Sequence, residues 1–82
     1  MSGLTLLVDK VRLPFNYLAP ISADDLRAWL ENIPEDQGYS TVKLYMAKQI
    51  KKDYLSNNVK VVNGVILSYT EFMIYSYKYN YA

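Results

Sequence analysis

Ser68-Tyr69-Thr70-Glu71-Phe72-Met73-Ile74-Tyr75-Ser76-Tyr77-Lys78-Tyr79-Asn80-Tyr81 decides the fold of this chain. From Tyr75 onward an aromatic residue occupies every second position, with Ser, Lys and Asn between, which is the period-2 pattern of a half-buried strand. Val65, Leu67, Tyr69 and Met73 stay in the same phase, and Glu71 is the one break. Ser68 and Glu71 also form a capping box, Ser at the N-cap and Glu at N3, which opens a helix instead. The aromatic and β-branched enrichment favours a strand over residues 73–81. One face of that strand is a row of phenols from Tyr75, Tyr77, Tyr79 and Tyr81, able to pack, stack or hydrogen-bond.

Just before this stretch, Val59-Lys60-Val61-Val62, Asn63-Gly64 and Val65-Ile66-Leu67 predict a hairpin, since Asn-Gly takes the two positive-φ conformations of a type I′ turn. Earlier still, Val42, Met46, Ile50 and Tyr54 make an i+4 ladder that predicts a helix from about Thr41 to Leu55, ended by Ser56-Asn57-Asn58. Its other side, Leu44, Tyr45, Lys48, Lys51, Lys52 and Leu55, mixes apolar and basic residues. A further helix is well specified. Ser22 is its N-cap with Asp25 three residues on, Ile21 and Leu26 form a hydrophobic staple, and Leu26, Trp29, Leu30 and Ile33 make one apolar stripe. Pro34 closes it.

At the N-terminus, Leu4, Leu6 and Val8 alternate as in a strand, and the phase slips to Val11 and Leu13, as at a bulge or tight turn. Phe15, Tyr17 and Leu18, bracketed by Pro14 and Pro20, are too apolar for a free linker and are expected to lie against the body of the domain. The sum is a single compact α+β domain over residues 1–82: a small antiparallel sheet of about three or four strands packed by two helices, with a C-terminal tyrosine-rich strand.

Composition narrows function by exclusion. The 82 residues contain no cysteine and no histidine, which removes disulfides, thiolate sites, the commonest general base and the commonest metal ligand. Catalysis would fall to carboxylates, Lys, Tyr, Ser or Thr. Tyr39-x-x-x-Lys43 has the spacing of a dehydrogenase pair but lacks the glycine-rich turn such enzymes need. Asp24-Asp25 reads as a complement to the helix dipole and Glu35-Asp36 as a solvated loop, rather than as metal ligands. No enzyme activity, cofactor or metal is expected. A cysteine-free chain of this size fits a reducing, cytoplasmic compartment. No apolar run reaches the ~18 residues a membrane helix requires.

Charge is uneven. Residues 1–39 hold three cations against six acids, net −3, and residues 40–82 hold six lysines against two acids, net +4. Nine tyrosines, two phenylalanines and one tryptophan are hard for so small a chain to hide, and a contiguous exposed aromatic patch marks a contact surface. The expected function is therefore a non-catalytic protein-binding module that occupies a surface of a larger protein partner, as accessory subunits, immunity proteins and phage- or plasmid-type inhibitors do. The expected partner-binding residues are Tyr75, Tyr77, Tyr79, Tyr81 and Lys78 on the last strand, with Tyr45, Lys48, Lys51 and Lys52 on the second helix. Pairing with a second copy of the chain is a further option. The alternative is a single-stranded nucleic-acid binder using tyrosine stacking and lysines. A homo-oligomeric structural protein stands third.

Overall fold

A computed structural model describes residues 3–12, 21–34 and 37–81, with Tyr81 described in its backbone alone. The expectations for Phe15, Tyr17 and Leu18 and for the loop acids Glu35 and Asp36 lie outside the described residues. The elements are α1 (Gly3–Lys10), α2 (Ala23–Leu30), α3 (Tyr39–Leu55), β1 (Val59–Val62), β2 (Val65–Ser68) and α4 (Tyr69–Tyr81). The α+β class stands. Among the described residues, however, the sheet has two strands rather than three or four, and the helices number four rather than two.

Both corrections come from two segments expected as strands, residues 3–10 and 69–81, that are helices. The tyrosine-rich segment is helix α4, not a strand, because the capping box forms: Ser68 Oγ accepts from the Glu71 amide at 3.0 Å, and Glu71 Oε1 accepts from the Ser68 amide at 3.2 Å. The segment also carries a helical stripe beneath its period-2 pattern. Thr70, Met73, Ile74 and Tyr77 stand at i, i+3, i+4 and i+7, and the first three are buried. Ser76 is fully enclosed, with its hydroxyl bonded back to the Phe72 carbonyl at 2.7 Å. The same overlap holds at the N-terminus. Leu4, Leu7, Val8 and Val11 are also spaced for a helix, and α1 buries the first three instead of alternating Leu4, Leu6 and Val8.

The N-terminal end of α1 lies directly on the chain leading into α3. The Gly3 amide donates to the Gln37 carbonyl at 3.1 Å, and a Cβ on Gly3 would stand 2.5 Å from the backbone of Gly38. Only a glycine allows that approach. Leu4, Leu7 and Val8 then meet Val42 and Met46 of α3, Ile74 of α4 and Ile33 beyond α2, forming a core between helices. Trp29, Leu30, Tyr39, Tyr45, Tyr75 and Tyr77 close its margins.

Helix α2 begins as its sequence predicts, with Ser22 Oγ accepting from the Asp25 amide at 3.1 Å and Leu26 buried. Helix α3 ends in a Schellman arrangement. Asn57 has φ +59°, the Asn58 amide donates to the Asp53 carbonyl at 2.8 Å, and the Asn57 amide reaches the Tyr54 carbonyl at 3.4 Å. The i+4 ladder drifts, since each four-residue step adds about 40° beyond a full turn. Val42 and Met46 are buried, Ile50 is half-buried and Tyr54 is exposed, so Asp53 takes the inner position. The hairpin forms in the predicted register around Asn63 and Gly64, both with positive φ, and pairs Val59 with Ser68 and Val62 with Val65. One face, from Val62, Val65 and Leu67, packs on Phe72 and Tyr75 of α4.

Candidate functional site

A two-residue step in a helix turns about 200°, so alternate tyrosines of α4 point to opposite sides rather than along one row. Tyr75 and Tyr77 are half-buried against the interhelical core, and burial together with the neighbouring Glu71 charge pushes the Tyr75 hydroxyl above the ordinary tyrosine range. Tyr79 is 47% exposed. The Tyr81 side chain lies outside the described residues. The Lys78 ammonium is engaged within the fold: it donates to the carbonyl of Val8 at 3.0 Å and to that of Val11, closing the C-terminal end of α1. Among the described residues the expected phenol platform does not form a continuous surface.

The second group of expected residues is brought together on α3. Leu44, Lys48, Lys51 and Leu55 recur at i, i+4, i+7 and i+11 and share one outward face. Leu44 is 57% and Leu55 79% exposed. Lys52 is exposed on the flank of this stripe, and Tyr45, further round, is half-buried at the core margin. None of the three lysines has an ion-pair partner among the described residues. On the hairpin, Val61 and Ile66 are a directly opposed pair and both are exposed, a small apolar patch on the face turned away from Phe72.

A polar cleft of about 440 Å³ opens between α2, α3 and the start of α4, lined by Trp29, Tyr45, Gln49, Lys52, Asp53 and Tyr69 together with small polar groups. Its floor is organised by Asp53, only 6% exposed. Oδ2 accepts from the Thr70 amide at 2.7 Å and the Thr70 hydroxyl at 2.6 Å, and Oδ1 has a longer contact, 3.4 Å, from the Asn58 side-chain amide. The carboxylate thus sits at the positive end of the α4 dipole. Burial, then Asp25 and Asp53, raise the Tyr69 hydroxyl above its usual range.

No protein-family model, curated protein sequence or solved structure matches this chain.

The outward face of α3 was visible in the sequence because its residues lie on one regular element. The cleft was not, since its walls come from three helices whose relative placement is tertiary. A lone Asp53 on an otherwise apolar inner seam was the available signal, because a buried carboxylate requires donors. Among the described residues no group of three acidic side chains gathers as a metal site, and no helix is long and apolar enough to cross a membrane.

Proposed function

We propose that this chain is a non-catalytic protein-binding module that occupies a surface of a larger protein, with the outer face of α3 as its contact. The observation that carries this reading is the exposed Leu44–Lys48–Lys51–Leu55 stripe. Large apolar side chains set around unpaired cations favour a partner that offers an apolar strip edged with acids. The nucleic-acid alternative depends on a row of stacking rings, and α4 splits that row. The class of inhibitors, immunity proteins and accessory subunits fits this reading, as does a cytoplasmic site of action.

The test is affinity capture of a partner by the tagged protein, compared with its Leu44→Glu and Leu55→Glu variants. Both positions are exposed, so the cost is expected to be about 0.5 kcal/mol or less, which keeps the melting temperature within about 4 °C of the parent. Capture is expected to fail in both. A partner retained equally by both variants would remove this face from the interface, and saturable oligonucleotide binding in its place would favour the alternative.

A further inference from the structure

We propose that the cleft between α2, α3 and α4 binds a nucleotide, taking an aminated heteroaromatic base between its aromatic walls and a phosphate at its lysine rim. The inference goes beyond the protein-contact reading, because the cleft and the Leu44–Leu55 stripe are different surfaces of α3.

Size permits a small ligand. A volume of about 440 Å³ falls within the about 300–1,000 Å³ of typical ligand clefts. Its walls are Trp29 from α2, Tyr45 from α3 and Tyr69 from α4, each half-buried and lining the cleft, and aromatic side chains are the residues on which bases stack. The polar equipment is unused. The Trp29 indole, the Tyr45 and Tyr69 hydroxyls, the Gln49 amide and the Lys52 ammonium form no hydrogen bond among the described residues. Every fully buried side-chain polar atom among the described residues has a partner, so these unpaired cleft groups are open to solvent and to a ligand.

The arrangement of these groups selects the ligand class. The floor offers an acceptor, Asp53 Oδ1, whose one contact is the long one from Asn58. Beside it Gln49 offers both a donor and an acceptor. Carboxylates accept from exocyclic base amino groups, and amides pair with donor–acceptor edges of bases. The N-terminus of α4 is not the phosphate site, because its first three amides already have acceptors and one of these, the Asp53 carboxylate, would repel an anion. The cation lies at the rim instead, where Lys52 is exposed. A neutral sugar would leave that cation unused, and an ammonium ligand would be repelled by it. Acceptor floor, aromatic walls and cationic rim together match a base carrying a phosphate.

The chain has one tryptophan, so the Trp29 indole N–H gives a single resonance reporting on the cleft. The probes are the 5′-monophosphates of adenosine, guanosine, cytidine and uridine, their nucleosides, inorganic phosphate and a short single-stranded oligonucleotide. Expected is a saturable shift with at least one of the adenosine, guanosine and cytidine nucleotides, a weaker one with its nucleoside and none with phosphate alone. A shift with the uridine nucleotide alone would overturn the proposal, since uracil has no exocyclic amino group. Lys52→Glu should abolish the preference for nucleotide over nucleoside, and Gln49→Ala should weaken binding about tenfold. An oligonucleotide binding more tightly than any mononucleotide would assign the base to a nucleic-acid strand, and the reverse to a free nucleotide. No shift with any base-containing probe overturns the proposal. So does a shift that Lys52→Glu and Gln49→Ala leave unchanged, since neither side chain supports the fold through a hydrogen bond.

Discussion

One carboxylate oxygen of Asp53 accepts two hydrogen bonds from Thr70, at 2.7 Å from its amide and 2.6 Å from its hydroxyl. These residues are seventeen positions apart, and the hairpin lies between them. The contact joins the last turn of α3 to the first turn of α4. Around it the other free amides of α4 are also met: Tyr69 donates to the Asn58 carbonyl at 2.9 Å and Glu71 to Ser68 Oγ. Each of the first three amides thus has an acceptor from a different part of the chain, which is why a short, tyrosine-rich segment holds a helix here.

Asp53→Ala should lower stability by about 1–3 kcal/mol, because the Thr70 amide and hydroxyl then lose their acceptor inside the fold. Thr70→Val removes only the hydroxyl bond and should cost less. The double variant should cost less than the sum of the two, since both changes remove the same bond. Urea denaturation midpoints decide this. Strict additivity would mean that the two residues act independently.

The tyrosines set the alkaline limit. Tyr69 and Tyr75 titrate above the ordinary value of 10.0 chiefly through burial, and Tyr54 does so chiefly through the hydrogen bond it donates to Glu71, 2.7 Å long. A raised folded-state value means the unfolded chain gives up its phenolic protons first as pH rises. The resulting stability is complete below about pH 10 and is lost as pH climbs through the folded-state values. Thermal melts should hold steady on the neutral side of this window and fall beyond it, with less fall in Tyr69→Phe. Tyrosinate absorbance rising at the same pH in native and urea-unfolded protein would contradict this.

Lys78 divides a structural role from a contact role. Its ammonium meets the carbonyls at the C-terminal end of α1. Lys78→Met keeps the apolar stem and removes the donors, so stability should fall by about 1–2 kcal/mol. Partner capture through α3 should persist in the folded fraction. Lost capture with an unchanged denaturation midpoint would instead return Lys78 to the contact surface.

At three places, bonds between near neighbours were legible in the residues and form as predicted. Ser22 with Asp25 started α2, Asn63-Gly64 set the hairpin turn, and Ser56-Asn57-Asn58 stopped α3. The exposed apolar and basic face of α3 was legible for the same reason, because Leu44, Lys48, Lys51 and Leu55 belong to one helix.

The sequence alone therefore determined the hairpin, the two central helices and the absence of cysteine and histidine chemistry. The tertiary structure decided residues 3–10 and 69–81, where the apolar positions satisfy both a two-residue and a three-to-four-residue spacing. In such segments the local preference is nearly balanced, and burial breaks the tie. Leu4, Leu7 and Val8 find Val42, Met46 and Ile74 only when both segments are helical. The place of Tyr75 and Tyr77, at the core margin rather than on an open platform, follows from that packing.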